Sequence, residues 1–387
     1  MINKVIKWIP FILLYVPFKF FSFFYKSQKD ILLFGTGTSL YHDNSKYLFE
    51  YILSNIEQHS EFEVYWVAKN KKLYKELKEL SIPVLYYNSL ECAKYTSIAN
   101  TYFVTSGLLD VFWFINNKTK LIQLWHGTPI KKIGYDTIID QERLKKQKFL
   151  FSSNYQFDRY DYLIIEDKKY IDIFQSAFQV KNKKILPLGQ PRNTIFNADN
   201  NNILLINNIK VKLKIKTFKK VILYAPTYRD NFDLNVSLIK NILTIENKDY
   251  LKTNNYCLLV KLHPLLSERK EINRLLYKIN KEIINIVNII DMQELLLISD
   301  AVVTDISSLA LDYLHYSSNL YRFFPDQYEY IKLRGNFYQE TYGELINNSN
   351  SIDSLKELNF NSEIFKSYSK DLVCQKILKL IVINSNV

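Results

Sequence analysis

The sequence contains few of the residues that form turns, cross-link a chain or bind metal ions. Its 387 residues include only 8 glycines, 9 prolines and 3 cysteines. The cysteines, Cys92, Cys257 and Cys374, are far apart and odd in number, and they form no Cys-x-x-Cys pair. This usage argues against a disulfide framework or a zinc site and favours a reducing compartment.

Several catalytic signatures are missing as well. The chain has no GxxxxGK[ST], HExxH or GxSxG motif, and no Asp-x-Asp pair of the kind that holds a metal ion on a nucleotide sugar. Gly35 and Gly37 begin like a dinucleotide-binding fingerprint, but the third glycine is absent, so this signal is weak. We therefore expect no cofactor and no bound metal, and we expect protein charge and dipoles to meet any diphosphate substrate.

Positive charge, by contrast, is in excess. The formal net charge is +12, while 48% of the residues are hydrophobic, as in a globular protein with substantial cores. Such a charge calls for an acidic partner, which is a nucleic acid, an anionic lipid or a phosphorylated substrate. No basic heptad helix, RNP-type aromatic strand or zinc-finger pattern accompanies the lysines, so we expect no specific nucleic-acid partner.

The N-terminal residues 1–28 combine aromatic and apolar side chains with scattered lysines. The uncharged run from Trp8 to Phe18 is shorter than the ~18 residues that a spanning helix needs, and Pro10 and Pro17 interrupt it. The first alanine is Ala68, so a small-residue signal-peptide cleavage site is lacking. We expect a segment lying in the plane of an anionic membrane surface, and a tilted signal anchor is the alternative.

Short apolar segments alternate with Lys- and Glu-bearing helical segments in two series. This alternation is typical of βαβ units, so the predicted fold class is α/β, with two facing Rossmann-like parallel-sheet domains. The expected boundaries are 1–28 for the membrane-associating segment, 29–196 for an N-terminal domain, 197–218 for an Asn-rich linker and 219–387 for a C-terminal domain. The predicted strands are ILLF, EVYWVA, PVLYY, TYFVTS and KLIQLW, followed by VILYAP, YCLLVK, IVNIID and AVVT.

The stretch QLWHGTPIKKIG places a histidine directly after a predicted strand. Pro129 suits the first position of a helix, and helix N-termini bind anions, so His126 is expected at an anion-binding junction. Lys131 and Lys132 add positive charge there. The alternative is a histidine that is hydrogen-bonded inside a core.

Polar side chains also follow the strands of the second series. Because ligands bind at the carboxyl ends of parallel strands, we expect these side chains to form a phosphate cradle at one sheet edge. Its members are Thr227, Arg229, Lys261, His263, Asp305, Ser307 and Ser308, with Asp312 one helical turn further on. The alternatives are that the serines only cap a helix and that Asp312 is an exposed helix carboxylate.

These motifs together resemble the CDP-glycerol glycerophosphotransferase family, whose bacterial members prime or polymerise teichoic-acid and related capsular chains. The resemblance covers about Ile31 to Tyr338. In chain order the motifs are DNSKYLFEY, WHGTPIKKIG, GQPRN, YAPTYRD, VKLHP, TDISSLALDY and LRGNFY.

The resemblance implies a GT-B-type pair of domains, attachment to the cytoplasmic face of the cell membrane and a CDP-alcohol donor bound by the C-terminal domain. The acceptor would be a lipid-linked glycan or polyol phosphate, and CMP would be released. His126 becomes the candidate general base, and His263 the ligand of the donor pyrophosphate. Further implied substrate-binding residues are Gly127, Thr128, Lys131, Thr227, Arg229, Lys261, Thr304, Asp305, Ser307, Ser308, Asp312 and Arg334.

On this interpretation the base and the positive charge at Lys131 belong to the domain opposite Ser307 and Ser308. The family usually has Tyr where Ile306 stands and an aromatic residue where Leu311 stands, which leaves ribitol phosphate or another polyol phosphate open. A membrane-associated GT-B glycosyltransferase that uses a nucleotide sugar would also fit the sequence, as would a basic membrane-binding module without activity.

Overall fold

The structure, a computed structural model, describes residues 30–111, 119–151, 156–197, 201–263, 266, 269–272, 284–286, 291–360 and 370–382. By its backbone contacts the chain divides into two compact units. Unit 1 comprises Met1–His126, Gly134–Thr194 and Lys370–Val387, and unit 2 comprises Gly127–Ile133 and Ile195–Ser369. The expected membrane-associating segment 1–28 lies outside the described residues.

Seven parallel strands form the sheet of unit 1. They are β1 (Asp30–Phe34), β2 (Phe62–Ala68), β3 (Val84–Tyr86), β4 (Thr101–Val104), β5 (Lys120–Gln123), β6 (Tyr162–Ile165) and β7 (Ile185–Pro187). Their spatial order is β3-β2-β1-β4-β5-β6-β7. β4 is buried along its whole length, and β1 is buried from its second residue onward. Such continuous apolar runs are typical of parallel strands that are covered on both faces.

Helices connect these strands, as the parallel arrangement requires. They are α1 (Asp43–Ser54), α2 (Lys71–Glu79), α3 (Leu90–Ile98), α4 (Ile138–Phe151), α5 (Gln156–Arg159) and α6 (Ile171–Phe178). Two of them begin at side-chain caps. The Asn70 side chain accepts a hydrogen bond from Leu73 N at the start of α2, and the Ser89 hydroxyl accepts one from Cys92 N at the start of α3. Each cap satisfies a backbone N–H that has no partner within its helix.

Unit 2 contains a second parallel sheet. Its strands are β8 (Lys220–Tyr224), β9 (Tyr256–Val260), β10 (Ile284–Ile286), β11 (Ala301–Thr304), β12 (Leu320–Arg322) and β13 (Asn350–Ser351). The spatial order is β10-β9-β8-β11-β12-β13. The two central strands, β8 and β11, supply buried residues such as Ile222, Tyr224 and Val303 to the core of the unit.

The described helices of unit 2 lie before β8 or between these strands in the sequence. They are α7 (Asn201–Lys212), α8 (Phe232–Ile242), α9 (Ile245–Asn254), α10 (Met292–Ile298), α11 (Leu309–Tyr313), α12 (Gln327–Arg334) and α13 (Gln339–Asn347). A last helix, α14 (Lys370–Val382), belongs to unit 1. There Lys120 Nζ donates a hydrogen bond to the Leu380 carbonyl oxygen at 2.9 Å. A cation in this position also complements the negative end of the helix dipole.

The predicted α/β class is confirmed, and all the predicted strands except IVNIID coincide with strands of the structure. IVNIID shares only Ile286 with β10, and most of its residues lie outside the described part of the chain. β6, β7, β12 and β13 were not predicted, and the last three of these are too short to show a pattern. The sequence pattern also predicts a helix over 44–54, which corresponds to α1. It predicts another over 265–280, which falls almost entirely on residues that are not described.

The division into units differs from the expected domain boundaries in three main places. Residues 127–133, expected in the N-terminal domain, belong to unit 2. The expected linker, 197–218, contains α7, which belongs to unit 2, and Ile209 and Ile215 in this stretch are buried. Residues 370–382 belong to unit 1 although they follow unit 2 in the sequence. No helix within the described residues combines the length and apolarity needed to cross a membrane.

Candidate functional site

His126 follows β5 in unit 1, and its side chain is exposed. Its Nδ1 lies 2.7 Å from the carbonyl oxygen of Thr105, just after β4. Because a carbonyl oxygen can only accept, Nδ1 carries the proton of the neutral ring and Nε2 keeps its lone pair. The imidazole is therefore held in the tautomer that can take up a proton at Nε2. The alternative of a histidine buried in the core is wrong.

The residue before His126 has an unusual backbone conformation. Trp125 has a φ of 56°, in the left-handed region that bulky residues rarely adopt. Its indole packs against the His126 ring, with centroids 4.1 Å apart, and against the Phe178 ring, with centroids 4.6 Å apart. Backbone strain of this kind persists only where the surroundings hold it, and it is concentrated at functional sites.

Residues 127–133, which we call the bridging segment, leave the sheet of unit 1 and join unit 2. Lys131 forms an isolated antiparallel bridge with Phe337. On its two sides Lys132 N donates to the Asn336 carbonyl at 3.1 Å, and Tyr338 N donates to the Ile130 carbonyl at 2.9 Å.

This pairing corrects two expectations. No helix begins at Pro129, because the backbone that follows is extended against residues 336–338, and the Pro129 carbonyl accepts a hydrogen bond from the buried Thr341 hydroxyl at 2.9 Å. Lys131 does not share a unit with His126. It belongs with Ser307 and Ser308 in unit 2.

In unit 2, Arg229 is the centre of a buried network just after β8. Its Nε and Nη2 donate to the two carboxylate oxygens of Asp326 at 2.7 and 2.8 Å. Its Nη1 donates to the Thr227 carbonyl at 2.7 Å and lies 2.9 Å from an Asp305 oxygen. Arg229 is 2% exposed, and its guanidinium stacks on the Tyr330 ring 4.4 Å from the centroid.

The neighbours of Arg229 are also bonded to one another. Asp305 accepts hydrogen bonds from Thr227 N and from the Thr227 hydroxyl, the latter at 2.6 Å. The fully buried Thr304 hydroxyl donates to the Ala225 carbonyl at 2.7 Å. These contacts tie the ends of β8 and β11 together and make the four predicted residues a support for the sheet edge.

Two lysines and a histidine of unit 2 lie around this support. Lys261 and His263 follow β9, and the bridging segment contributes Lys131. Burial lowers the pKa of Lys261 to about 8, and the nearby Asp291 carboxylate opposes part of that shift. Burial of the ring and, after it, the Lys131 ammonium lower the pKa of His263. The effect of Lys131 shows that this lysine and His263 face a common region.

Ser307 and Ser308, after β11, are half-buried at the start of α11. The Ser308 side chain makes no capping hydrogen bond there, so the capping alternative is not what the structure shows for this residue. Asp312 is 4% exposed and accepts a hydrogen bond from Gln293 Nε2 at 3.1 Å. The alternative of an exposed helix carboxylate is therefore wrong.

The remaining predicted ligands lie at the edges of this region. Gly127 has a φ of 135°, a left-handed conformation that glycine adopts readily, and it opens the bridging segment. Thr128 is buried. Arg334 ends α12, and its side chain is outside the described part of the chain. Within the described residues, no three His, Cys, Asp or Glu side chains form a group that could hold a metal ion.

The sequence profile of the CDP-glycerol:poly(glycerophosphate) glycerophosphotransferase family matches residues 15–371. The chain belongs to this family. The teichoic acid glycerol-phosphate transferase of Staphylococcus aureus is 30% identical over 334 residues, which cover 82% of this chain and 81% of that protein. The teichoic acid poly(glycerol phosphate) polymerase of Bacillus spizizenii is 30% identical over 340 residues, covering 84% and 81%. The chain is thus a transferase of the glycerophosphotransferase type.

The fold agrees with this assignment. A structure of the wall teichoic acid polymerase TagF superimposes with a TM-score of 0.70 at 22% identity, covering 99% of this chain and 97% of that one. A TagF variant soaked with CDPG gives a TM-score of 0.68 at 24% identity, covering 98% and 95%. At this identity the likeness establishes the α/β fold with parallel sheets.

Sequence reasoning from the residues missed several side chains of the candidate site. Asp326 and Tyr330, which hold the Arg229 guanidinium, carry no strand-end signal because they lie at the start of α12. Asp43 and Arg192 were visible only as members of the family motifs DNSKYLFEY and GQPRN. Spacing alone could not have connected these residues with His126.

Proposed function

We propose that this chain transfers glycerol phosphate from CDP-glycerol to a hydroxyl group of a lipid-linked glycan or polyol-phosphate acceptor and releases CMP. The observation that carries the proposal is the hydrogen bond from His126 Nδ1 to the Thr105 carbonyl. It leaves Nε2 as a proton acceptor on an exposed side chain, in a chain of this family. The glycerol-phosphate transferases among its relatives and the TagF structure with CDPG support the choice of donor.

The reaction begins when His126 Nε2 takes the proton of the acceptor hydroxyl. The acceptor oxygen attacks the donor phosphorus that bears glycerol and forms a new P–O bond. The bond from that phosphorus to the bridging oxygen breaks, and CMP leaves with the electron pair. A positioned general base contributes about 10²–10⁴-fold to such a step.

The donor diphosphate would lie against the cations of unit 2. Lys131 and Lys261 supply charge, and His263 and the Ser307 and Ser308 hydroxyls supply hydrogen bonds. Fixed cations of this kind stabilise the charge that develops on a transferring phosphoryl group. The buried network of Thr227, Arg229, Thr304 and Asp305 holds their strand ends in place. Gly127, Thr128, Asp312 and Arg334 complete the proposed set of substrate ligands.

We assign the acceptor to unit 1 and the donor to unit 2, in a GT-B-type arrangement. The family works on lipid-linked chains, so we place the enzyme on the cytoplasmic face of the cell membrane as a peripheral protein. Residues 1–28 would lie in the plane of that surface, with aromatic side chains in the interface and lysines at anionic headgroups.

CDP-ribitol is the second candidate donor, because two positions near the proposed ligands differ from the family pattern. Ile306 and Leu311 stand where the family usually has Tyr and an aromatic residue, and both are buried beside Ser307 and Asp312. Because these side chains are smaller than the aromatic ones of the family pattern, the space for the alcohol end of the donor would differ from that in other members of the family.

The test is CMP release by the full-length protein, with membranes carrying lipid-linked acceptor, from CDP-glycerol and from CDP-ribitol. UDP-N-acetylglucosamine, assayed for UDP release, is the arm that represents a glycosyltransferase. Acceptor-dependent CMP release from CDP-glycerol, well above that from CDP-ribitol, supports the proposal. Preference for CDP-ribitol would move the assignment to the second candidate. UDP release, or no release from any donor, would overturn the proposal.

A further inference from the structure

The three backbone carbonyls that follow β5 in unit 1 are held by side chains from two distant segments. Asn44, at the start of α1, donates through Nδ2 to the Leu124 carbonyl at 3.1 Å and to the Trp125 carbonyl at 3.0 Å. Arg192 donates through Nη1 to the His126 carbonyl at 2.8 Å. Each of the residues that lead up to the imidazole therefore has its main chain fixed by a side chain.

The side chains that hold these carbonyls also hold one another. The Asn44 amide group donates to Gln190 Oε1, and its oxygen accepts from Arg192 N at 3.0 Å. Gln190 Nε2 adds a longer hydrogen bond to the Leu124 carbonyl at 3.3 Å. All are nearly inaccessible, with Asn44 at 0%, Gln190 at 1% and Arg192 at 6% exposure.

Asp43 completes the group. Its Oδ1 accepts from Arg192 Nη1 at 3.0 Å and from Asn44 N at 2.8 Å. Its φ of 67° places it in the left-handed region, so the backbone bends sharply where α1 begins. Burial raises the pKa of this carboxyl, but Arg192, His42 and His126 together bring it below its usual value. The charged Asp43 carboxylate thus lies close enough to His126 for the two groups to interact electrostatically.

Two features distinguish this group from an ordinary buried polar network. It acts on the backbone of Trp125 and His126, where the chain is strained and leaves the sheet, rather than on a regular strand. Its members come from positions about 150 residues apart, since the same Arg192 Nη1 donates both to the Asp43 carboxylate and to the His126 carbonyl. Buried networks of this kind rigidify the groups that they contact.

We propose that Asp43, Asn44, Gln190 and Arg192 form a carbonyl clamp that positions His126 for proton transfer. The inference rests on the proposed role of His126 as general base. The four are positioning residues, because they hold the backbone of His126 and not the reacting atoms. A displacement of about 1 Å at a catalytic group can cost about 10²-fold in rate, so small changes in the clamp should be visible in turnover.

Conservative variants test the clamp with the least risk to folding. Arg192→Lys keeps the charge beside Asp43 but loses the rigid planar guanidinium whose Nη1 donates to both the carboxylate and the carbonyl. Gln190→Leu removes only the longer bond to Leu124 and the contact with Asn44. We expect turnover to fall about 10- to 100-fold for Arg192→Lys and by a smaller factor for Gln190→Leu, with the KM for CDP-glycerol nearly unchanged. Arg143→Lys, an exposed arginine on α4, is the matched control and should change neither constant.

A double-mutant cycle with His126→Ala separates positioning from general stability. If the clamp acts through the imidazole, Arg192→Lys should have little further effect on the residual rate of His126→Ala, measured as CMP release from CDP-glycerol. An equal fold-loss in both backgrounds would mean that the arginine only stabilises unit 1, and this would overturn the inference. If Arg192→Lys does not fold, the same cycle is run with Gln190→Leu, and the same two outcomes decide.

The failure of this inference and that of the proposed function are distinguishable. Near-wild-type turnover in His126→Ala would refute the assignment of His126 as general base, and the clamp would then have no catalytic group to position. An inactive His126→Ala together with fully active Arg192→Lys and Gln190→Leu would leave the proposed function intact and would refute the clamp alone.

Discussion

The two units place polar groups outside a parallel sheet in contrasting ways. In unit 1 one exposed imidazole, His126, stands on buried side chains that hold its own backbone. In unit 2 Lys131, Lys261 and His263 lie around a buried network centred on Arg229. Both networks contain a buried arginine that bridges a carboxylate and a backbone carbonyl just past a strand, Arg192 in one and Arg229 in the other.

The difference lies in the groups that the two arginines hold in place. Arg229 bonds the Asp305 and Asp326 carboxylates and so holds the edge of the sheet. Arg192 bonds the Asp43 carboxylate and, directly, the backbone of the residue proposed as base. Unit 1 should therefore control turnover, whereas unit 2 should control stability and donor affinity. The predictions below separate these effects.

The largest effect is expected at His126. His126→Ala should lower turnover by about 10²-fold or more, because a positioned base contributes about 10²–10⁴-fold. Its affinity for CDP-glycerol, measured by calorimetry, should stay nearly constant. His59→Ala, a change to a histidine near Glu61 in the same unit, is the control and should leave turnover nearly unchanged. If His126→Ala lost turnover and donor affinity in parallel, the proposed assignment of turnover to unit 1 and of donor affinity to unit 2 would be wrong.

Arg229→Met should have the next largest effect, on stability. The change leaves Asp305 and Asp326 buried without their cation, a situation that costs about 3–5 kcal/mol. Urea unfolding at neutral pH measures the loss. Arg143→Met is the exposed control, for which surface changes of about 0.5 kcal/mol or less are expected. Similar unfolding free energies for the two variants would contradict a structural role for Arg229.

A smaller effect is expected from Lys131, because it concerns one contact to substrate. A hydrogen bond to a charged group is worth about 1.5–3 kcal/mol, so Lys131→Ala should weaken CDP-glycerol binding by about tenfold or more. Turnover at saturating donor should change less. Its exposed neighbour provides the control, and Lys132→Ala should bind the donor normally. If calorimetry gives both variants the same loss, a general loss of positive charge explains it, and Lys131 has no specific role.

The smallest effect concerns the pH dependence of donor binding. The pKa of Lys261 is lowered to about 8 by burial, so its ammonium is charged at pH 7 and mostly neutral at pH 9. Since the charged form attracts the diphosphate, affinity for CDP-glycerol should fall as the pH rises through 8, by about tenfold at most. Lys261→Arg should flatten this dependence, because arginine stays charged. A wild-type affinity that is constant from pH 7 to 9 would exclude Lys261 as a ligand.

Much of this architecture could be predicted from local sequence. Apolar runs such as VILYAP and AVVT report strands that are covered on both faces, and their alternation with helices requires a parallel sheet. The strand ends of each sheet then share one edge, which is why His126 in unit 1 and His263 and Ser308 in unit 2 could be identified as candidate site residues. The motifs, in their order along the chain, indicated the family.

Only the tertiary structure decided which side chains meet. The local pattern of HGTPIKK suggested a helix, but pairing with residues 336–338 gave an extended segment that carries Lys131 into unit 2. The sequence made Arg229 a candidate phosphate ligand, whereas in the structure its guanidinium is taken up by Asp326, 97 residues away. Arg192 finds the Asp43 carboxylate across 149 positions and also bonds the His126 carbonyl. Periodicity records whether a residue is buried and in which element, and it carries no information on the partner that a polar group finds at long range.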